Sequence, residues 1–208
     1  MRLVTYNLNG IRARLPRLIE YLDREKPDIL CLQELKCADD ALPISDIEGA
    51  GYHAVWHGQK GFNGVAILSR SGKPILRQIG LPGDPDDSHS RYIEAEIDGL
   101  IVASIYLPNG NPIGTEKFDY KLQWMERLRI HAAGLLAAAT EDRDSVEALL
   151  AVPHRMIAGA LDVSDRKRVV GAFQFLETDD VGLFAVEIFE EAREPGADSV
   201  EIVGDQFH

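Results

Sequence analysis

Cysteine is scarce in this sequence, which contains only Cys31 and Cys37. Cys31 lies within an apolar run, so neither a disulfide framework nor a zinc cluster is indicated, and we expect two reduced thiols. No apolar run approaches the roughly 18 residues that a membrane-spanning helix needs. The N-terminal residues become polar at Asn7, too early for a signal peptide. We therefore expect a soluble, cytoplasmic protein that does not bind membranes.

Basic residues are also few, and the formal net charge of −12 argues against a nucleic-acid-binding protein. The charge is unevenly distributed, because residues 139–208 contain sixteen acidic and six basic residues, whereas residues 1–138 contain eighteen and sixteen. The first part is therefore nearly neutral and can still present a local basic surface. This division separates an N-terminal part, residues 1–138, from an acidic tail, residues 139–208.

The N-terminal segment has the pattern of a strand, a helix and a second strand. RLVTYN is β-branched and aromatic, and apolar residues at helical spacing run from Gly10 to Pro27. DILCLQE is continuously apolar, as in a strand that is buried on both faces. Such a unit implies parallel strands, which end at the same edge of the sheet, where open α/β sheets bind ligands. We therefore expect Asn7 and Glu34 to lie side by side.

Four further strands and one long helix are predicted in the first part of the chain. The strands are YHAVWH, GVAILSR, YIEAEI and LIVASIY, and apolar spacing predicts a helix from about Glu116 to Ala139. The tail contains a predicted helix near residues 145–151 and strand-like runs at VVGAFQFL, VGLFAVEIF and VEIV. The pattern as a whole indicates an α/β fold.

Glu34 and Asn7 are candidate ligands of a hard metal ion. Magnesium typically takes one or two protein carboxylates and keeps water and phosphate oxygens in its other positions. A carboxylate that converges with an amide oxygen therefore suggests a magnesium or manganese site without proving one. The alternative is that Glu34 is a solvated residue at the rim of the sheet.

Tyr106 is the last residue of the predicted strand LIVASIY, and Asn109 follows it three residues later. The phenol and the amide could contact a phosphate. They could equally be an interface tyrosine and a turn residue. The loop GQKGFNG, which contains Asn63, lacks the GxxxxGK[ST] spacing of a nucleotide P-loop, which argues against nucleoside triphosphate binding.

Six segments together resemble the exonuclease III family of abasic-site endonucleases. In order along the chain they are YNLNGIRAR, PDILCLQELK, GFNGVAILSR, SRYIEAEIDG, YLPNGNP and KFDYKLQWMERL. The resemblance covers residues 1 to about 138. It implies the fold of the deoxyribonuclease I-like superfamily, a four-layered α/β sandwich of two mixed sheets. It also implies magnesium- or manganese-dependent hydrolysis of phosphodiesters beside abasic sites, or at 3′ ends, in double-stranded DNA.

The same resemblance implies roles for individual residues. Glu34 would bind the catalytic metal, and Asn7 would lie in the same site. Tyr106 corresponds to the family's active-site tyrosine beside the scissile phosphate, and Asn109 to an amide that contacts a backbone phosphate. Supporting or DNA-facing roles are implied for Asn9, Lys36 and Asn63.

Two motifs that the family carries in its second half are missing. After the long helix the family has a strand ending in Gly-Asp-x-Asn, and later a Ser-Asp-His segment; neither occurs here. The nearest matches are AGALDVSD, with Asp162, and IVGDQFH, with Asp205, and both look like chance. We therefore expect an impaired enzyme whose tail replaces the second half. The inner face of the remaining sheet would be exposed unless the tail covers it.

Two other functions remain open at the level of the sequence. The chain could be a non-catalytic remnant that binds DNA or a protein partner. It could instead be a phosphatase of the same superfamily that acts on a small phosphoester.

Overall fold

The N-terminal segment folds as a strand, a helix and a strand, as predicted. They are β1 (Arg2–Asn7), α1 (Ile11–Glu25) and β2 (Ile29–Gln33), and β1 and β2 pair in parallel, with Asn7 opposite Gln33. The computed structural model describes residues 1–140, 169–174 and 201–204. Helix α1 ends at Glu25, and the next residue, Lys26, has a left-handed conformation directly before Pro27.

The remaining elements follow the predicted order, with additions. They are a 3-10 turn (Asp39–Ala41), α2 (Ile44–Gly49), β3 (His53–His57), β4 (Val65–Ser69), β5 (Ile75–Ile79), β6 (Tyr92–Ile97), β7 (Leu100–Tyr106), α3 (Glu116–Thr140), β8 (Val169–Gln174) and β9 (Glu201–Gly204). The predicted strands and the long helix of the first part are confirmed. Strand β5 and the short helix α2 were not predicted.

The strands form two mixed sheets. The first has the order β3-β4-β2-β1-β9 and the second the order β5-β6-β7-β8. Strand β2 is apolar up to Gln33, as expected for a strand with both faces buried. Ile29 and Cys31 belong to an inner cluster that includes Ile93 and Val102 of the second sheet, whereas Leu30 belongs to a cluster on the other side.

Helices cover the outer faces of both sheets. Leu18 of α1 and Ile47 of α2 lie in the same buried cluster as Leu30 of β2. On the other side, Trp124 of α3 is buried with Tyr92 of β6 and Ile105 of β7. The layers are therefore helix, sheet, sheet and helix, and the predicted four-layered α/β sandwich is confirmed.

The expectation that half a sandwich would leave an apolar inner face exposed was wrong. Both sheets are already present within residues 1–106, and their inner faces bury one another in the cluster that contains Ile29 and Val102. What the first part leaves open is an edge of each sheet, next to β1 and β7. Unpaired backbone groups at such edges need partners.

Two strands of the tail pair at these edges. Strand β8 pairs in parallel with β7, with Gln174 opposite Tyr106, and β9 pairs in parallel with β1, with Gly204 opposite Thr5. The predicted strand-like runs VVGAFQFL and VEIV are thus strands in part. The predicted helix near residues 145–151 and the run VGLFAVEIF lie outside the described residues. Within the described part of the chain, no helix is both long and apolar enough to span a membrane.

Strand β5 was not predicted from the sequence, because its environment in the sheet differs from that of the other strands. It lies at the outer edge of the second sheet and pairs antiparallel with β6 across an irregularity between Leu76 and Gln78. Ile75, Leu76 and Ile79 are exposed. Its sequence, ILRQI, therefore shows neither strict alternation nor a continuous apolar run.

Trp124 should be the main anchor of α3, because its indole is 1% exposed between the helix and the second sheet. Replacing a buried Trp by Ala typically costs about 3–5 kcal/mol. We therefore expect Trp124→Ala to lower the free energy of unfolding by that amount in urea denaturation of the full chain. The neighbouring Met125 is 39% exposed, and Met125→Ala, the matched control, should cost less than about 1 kcal/mol. Equal losses in the two variants would contradict the packing of α3.

Candidate active site

The segment Glu34–Lys36 is held between two other parts of the backbone. The Gly10 N–H donates to Glu34 O at 2.7 Å, and the Ile11 N–H donates to Leu35 O at 2.9 Å. On the other side, Leu35 and Lys36 donate to the carbonyls of the loop that precedes β4. Glu34 has φ 54°, in the left-handed region. Such a conformation is unfavourable for a residue with a side chain and persists only where the surrounding structure enforces it.

Three side chains from different parts of the chain meet at the Glu34 carboxylate. Asn7 Nδ2 donates to Oε1 at 3.0 Å, and the Tyr106 hydroxyl donates to the same oxygen at 2.8 Å. Lys36 Nζ lies 2.8 Å from Oε2. The Glu34 side chain is 11% exposed. The predicted meeting of Asn7 and Glu34 at one edge is confirmed, and Tyr106 joins them from the second sheet.

This arrangement keeps Glu34 ionised and Tyr106 protonated. Burial raises the pKa of Glu34, but hydrogen bonds from Lys36, Asn7 and Tyr106 outweigh it, so the pKa lies below its usual value. Burial, and then the adjacent carboxylate, raise the pKa of the Tyr106 phenol. The site therefore combines a charged hydrogen-bond acceptor, the Glu34 carboxylate, with a neutral donor, the Tyr106 hydroxyl.

Asn7 supports Glu34 through its amide nitrogen. Its amide oxygen accepts the Asn9 N–H at 3.0 Å and is turned away from the carboxylate. Asn9 in turn accepts a hydrogen bond from the Lys36 ammonium. Asn7 thus orients Glu34 in this structure, and it would have to rotate its amide to offer an oxygen to a metal. Its role as a metal ligand stays a prediction.

Asn63 and Asn109 occupy different environments. Asn63 is buried, its carbonyl accepts the Lys36 N–H at 2.9 Å, and its side chain donates to Gln59 Oε1 at 2.7 Å. It therefore supports the loop beside the site. Asn109 is exposed, three residues after Tyr106, and the structure does not bring its side chain to the Glu34 carboxylate. The predicted contacts of both residues with DNA stay predictions.

Two polar groups that support the site were not predicted. Gln33 is fully buried, where its Nε2 donates to Ser104 Oγ at 3.2 Å and its Oε1 accepts from Thr5 Oγ1 at 3.1 Å. It thereby links the two sheets beneath Glu34. The Arg91 guanidinium lies 5.0 Å from the centre of the Tyr106 ring. The one sequence signal for Gln33 is a polar residue at the end of an otherwise apolar strand.

The donor set fits a weakly held hard cation. Within the described residues, no three Asp, Glu, His or Cys side chains are grouped as a metal site. One ionised carboxylate can still hold magnesium, which keeps most of its water ligands. Among the described elements, β8 is the next strand after α3, and its described residues, Val169–Gln174, do not contain Gly-Asp-x-Asn. Asp162 and Asp205 lie outside the described residues.

The chain is similar to known nucleases over its first part. The model of the Endonuclease/Exonuclease/phosphatase family matches residues 4–151. An exodeoxyribonuclease III from Haemophilus influenzae is 40% identical over 126 residues, which cover 58% of this chain and 47% of that protein.

Two solved structures show the same similarity. An AP endonuclease from Archaeoglobus fulgidus has 44% identity and a TM-score of 0.60, covering 63% of this chain and 51% of that one. A 3′ phosphatase from Neisseria, bound to a product DNA hairpin, has 39% identity and a TM-score of 0.61, covering 64% and 52%. This chain thus spans about half the length of the relatives that it matches. It belongs to the Endonuclease/Exonuclease/phosphatase family, and the predicted resemblance to exonuclease III is confirmed.

Proposed function

We propose that this chain carries the metal-binding half of a DNA-repair nuclease of the exonuclease III type. Such an enzyme would hydrolyse phosphodiesters beside abasic sites, or at 3′ ends, in double-stranded DNA with Mg²⁺ or Mn²⁺. The observation that carries the proposal is the ionised Glu34 carboxylate, held by Asn7, Tyr106 and Lys36 at one edge of the sandwich. The relatives named above, an exodeoxyribonuclease III and an AP endonuclease, support the substrate class.

The residues of the site have separable tasks in this proposal. Glu34 would hold the divalent ion, which when bound neutralises phosphate charge and acidifies bound water. Tyr106 would turn its phenolic proton from Glu34 to a phosphate oxygen and stabilise the negative charge that develops there. Lys36 would leave Glu34 Oε2 and remain close as a second positive charge. Arg91 would keep the Tyr106 ring in place.

Among the described residues, the side chains that contact the Glu34 carboxylate are an amide, a phenol and an ammonium, and none of them is a base for the attacking water. Removing a positioned acid or base typically costs a factor of roughly 10² to 10⁴ in rate. Slow turnover is the expected consequence.

A second candidate function is removal of a phosphate group. The Neisseria structure named above is a 3′ phosphatase bound to DNA. This neighbour favours a phosphomonoester at a DNA 3′ end over the small soluble phosphoester considered from the sequence. A non-catalytic DNA-binding role remains the alternative in which the Glu34 carboxylate holds a metal without turnover.

Glu34 should account for divalent metal binding. In calorimetric titration with Mn²⁺, we expect weak binding by the wild type and none by Glu34→Gln. Glu96→Gln is the matched control, because Glu96 pairs with Arg77 on the second sheet. The lowered pKa of Glu34 means that protons compete with the metal only below the ordinary carboxyl value of about 4.3. Affinity should therefore be constant from pH 7 to about 5, and equal binding by Glu34→Gln would remove Glu34 from the metal site.

Lys36 should compete with the metal for Glu34, since its ammonium contacts Oε2. We expect Lys36→Gln to raise the Mn²⁺ affinity by up to about fivefold, because a partly exposed ion pair contributes up to about 1 kcal/mol. Lys60 is exposed in the neighbouring loop, and Lys60→Gln should leave the affinity unchanged. A lower affinity in Lys36→Gln than in Lys60→Gln would show that Lys36 supports the ion instead of competing with it.

The purified chain should cleave a fluorescent abasic-site duplex in Mg²⁺, but several orders of magnitude more slowly than the Archaeoglobus fulgidus AP endonuclease. Glu34→Ala should abolish the remaining cleavage. Tyr106→Phe should reduce it by a factor of about 10² to 10³, as for the loss of one donor to a developing anion. A 3′-phosphorylated duplex and p-nitrophenyl phosphate, tested in parallel, separate nuclease from phosphatase activity. Cleavage of the abasic duplex that persists in Glu34→Ala would refute the proposed function.

A further inference from the structure

A second cluster of titratable side chains lies in the loop between β5 and β6. His89 Nδ1 lies 2.9 Å from Asp87 Oδ1, and the backbone N–H of His89 donates to the same oxygen at 3.2 Å. The imidazole is thereby tethered through Nδ1, which leaves Nε2 for other partners. The His89 side chain is 43% exposed, whereas that of Asp87 is 5% exposed.

Asp87 is a fixed anion. The Tyr120 hydroxyl lies 3.0 Å from each of its oxygens, and Arg127 Nη2 donates to Oδ2 at 2.6 Å. Burial raises the pKa of Asp87, but hydrogen bonds from Arg127, His89 and Tyr120 outweigh it and lower the pKa below its usual value. Because Arg127 already balances the charge of Asp87, protonation of the imidazole would add a positive charge to the loop.

The loop also carries Asp84 and the exposed Asp86, whose backbone N–H donates to Asp84 Oδ1 at 3.1 Å. Asp84 Oδ2 lies 4.0 Å from Arg127 Nη1 and is partly exposed. The Tyr120 ring of α3 packs against the imidazole with 5.5 Å between the ring centres. Arg91 follows two residues later along the chain and lies over the Tyr106 ring. Arg127 is therefore paired with Asp84 and Asp87, and Arg91 is the nearby positive group that lies towards Tyr106.

The loop lies at the same edge of the sandwich as Glu34. Strands β6 and β7 are antiparallel, with Tyr92 opposite Ile105, so the residues before Tyr92 continue past the end of β7. The Arg91 N–H donates to His89 O at 2.9 Å, and the Tyr106 N–H donates to Arg91 O at 2.8 Å. The backbone of Arg91 thus links His89 to the end of β7 through these two hydrogen bonds.

The loop also contacts the segment that carries Glu34. The Gly64 N–H donates to Ser90 O at 2.9 Å, and Gly64 O accepts the Leu35 N–H at 3.1 Å. Residues 89–91 therefore bridge the ends of the two sheets, beside the carboxylate site. A side chain that is exposed on this bridge, such as His89, therefore lies at the rim of the candidate active site.

We propose that His89, tethered by Asp87, is a pH-dependent contact for a backbone phosphate of DNA beside the site. The inference rests on the proposed function, since the phosphate belongs to its substrate. Histidine is the side chain whose charge ordinarily changes between pH 5 and 8. The imidazolium would donate from Nε2 to a phosphate oxygen in a charge-assisted hydrogen bond. Neutral imidazole would lose most of this attraction.

Duplex binding without turnover tests the inference. The full chain is titrated onto a labelled duplex with a tetrahydrofuran abasic analogue, in EDTA and at constant ionic strength, at pH 6.0 and 8.0. We expect the wild type to bind about threefold to tenfold more tightly at pH 6.0, as for one phosphate contact, with a steeper salt dependence. His89→Gln should reduce this difference, and His89→Arg should bind at pH 8.0 about as tightly as the wild type at pH 6.0. His53→Gln is the matched control, because His53 is an exposed histidine on β3.

The experiment distinguishes a failure of the proposed His89 contact from a failure of the proposed function. A pH difference that is equal in wild type, His89→Gln and His53→Gln would overturn the role of His89 and leave it as a residue that fastens the loop to α3. No binding of the duplex by the wild type at either pH would overturn the proposed function as well. His89→Arg keeps the test decisive if His89→Gln unfolds, because a charge retained at both pH values must then give tight binding at both.

Discussion

The Glu34 carboxylate depends on hydrogen bonds that only the packed sandwich can provide. Asn7 reaches it from β1 in the first sheet and Tyr106 from β7 in the second. Both bonds can form only when the two sheets are correctly positioned relative to each other. Gln33 supports this relative position of the sheets from within the core, since its amide hydrogen-bonds to Ser104 of the second sheet and to Thr5 of the first. A buried amide that lost these partners would carry a desolvation cost of about 1–3 kcal/mol. The site and the packing of the sheets therefore stabilise each other.

Sequence patterns predicted the parts of the fold in which local signals and tertiary environment agree. The helix before Pro27, the doubly buried strand β2 and the alternating strand β6 each carry the periodicity of their environment. The sequence patterns also predicted that Asn7 and Glu34 lie together, because parallel strands of one strand–helix–strand unit must end at the same edge. Strand β5 was not predictable in this way, since an exposed edge imposes no pattern on its side chains.

The rest of the candidate site depends on contacts between segments that are distant in the chain. Tyr106 was expected near a phosphate, but its hydrogen bond to Glu34 crosses from one sheet to the other over 72 positions. Arg91 and His89 lie beside the site only because β6 starts where β7 ends. No spacing within the sequence encodes such a relation. The composition of the whole chain argued against DNA binding, because the acidic charge of residues 139–208 dominates the nearly neutral first part.

Both tail strands pair in parallel with strands that carry residues of the candidate site. Gln174 of β8 lies opposite Tyr106 of β7, whereas Gly204 of β9 lies opposite Thr5 of β1, two residues before Asn7. The described end of β8 therefore lies beside the residue that, in the proposed function, contacts the phosphate. Because these backbone pairings fill an open edge of each sheet, the described tail strands support the two strands from which Tyr106 and Asn7 reach Glu34.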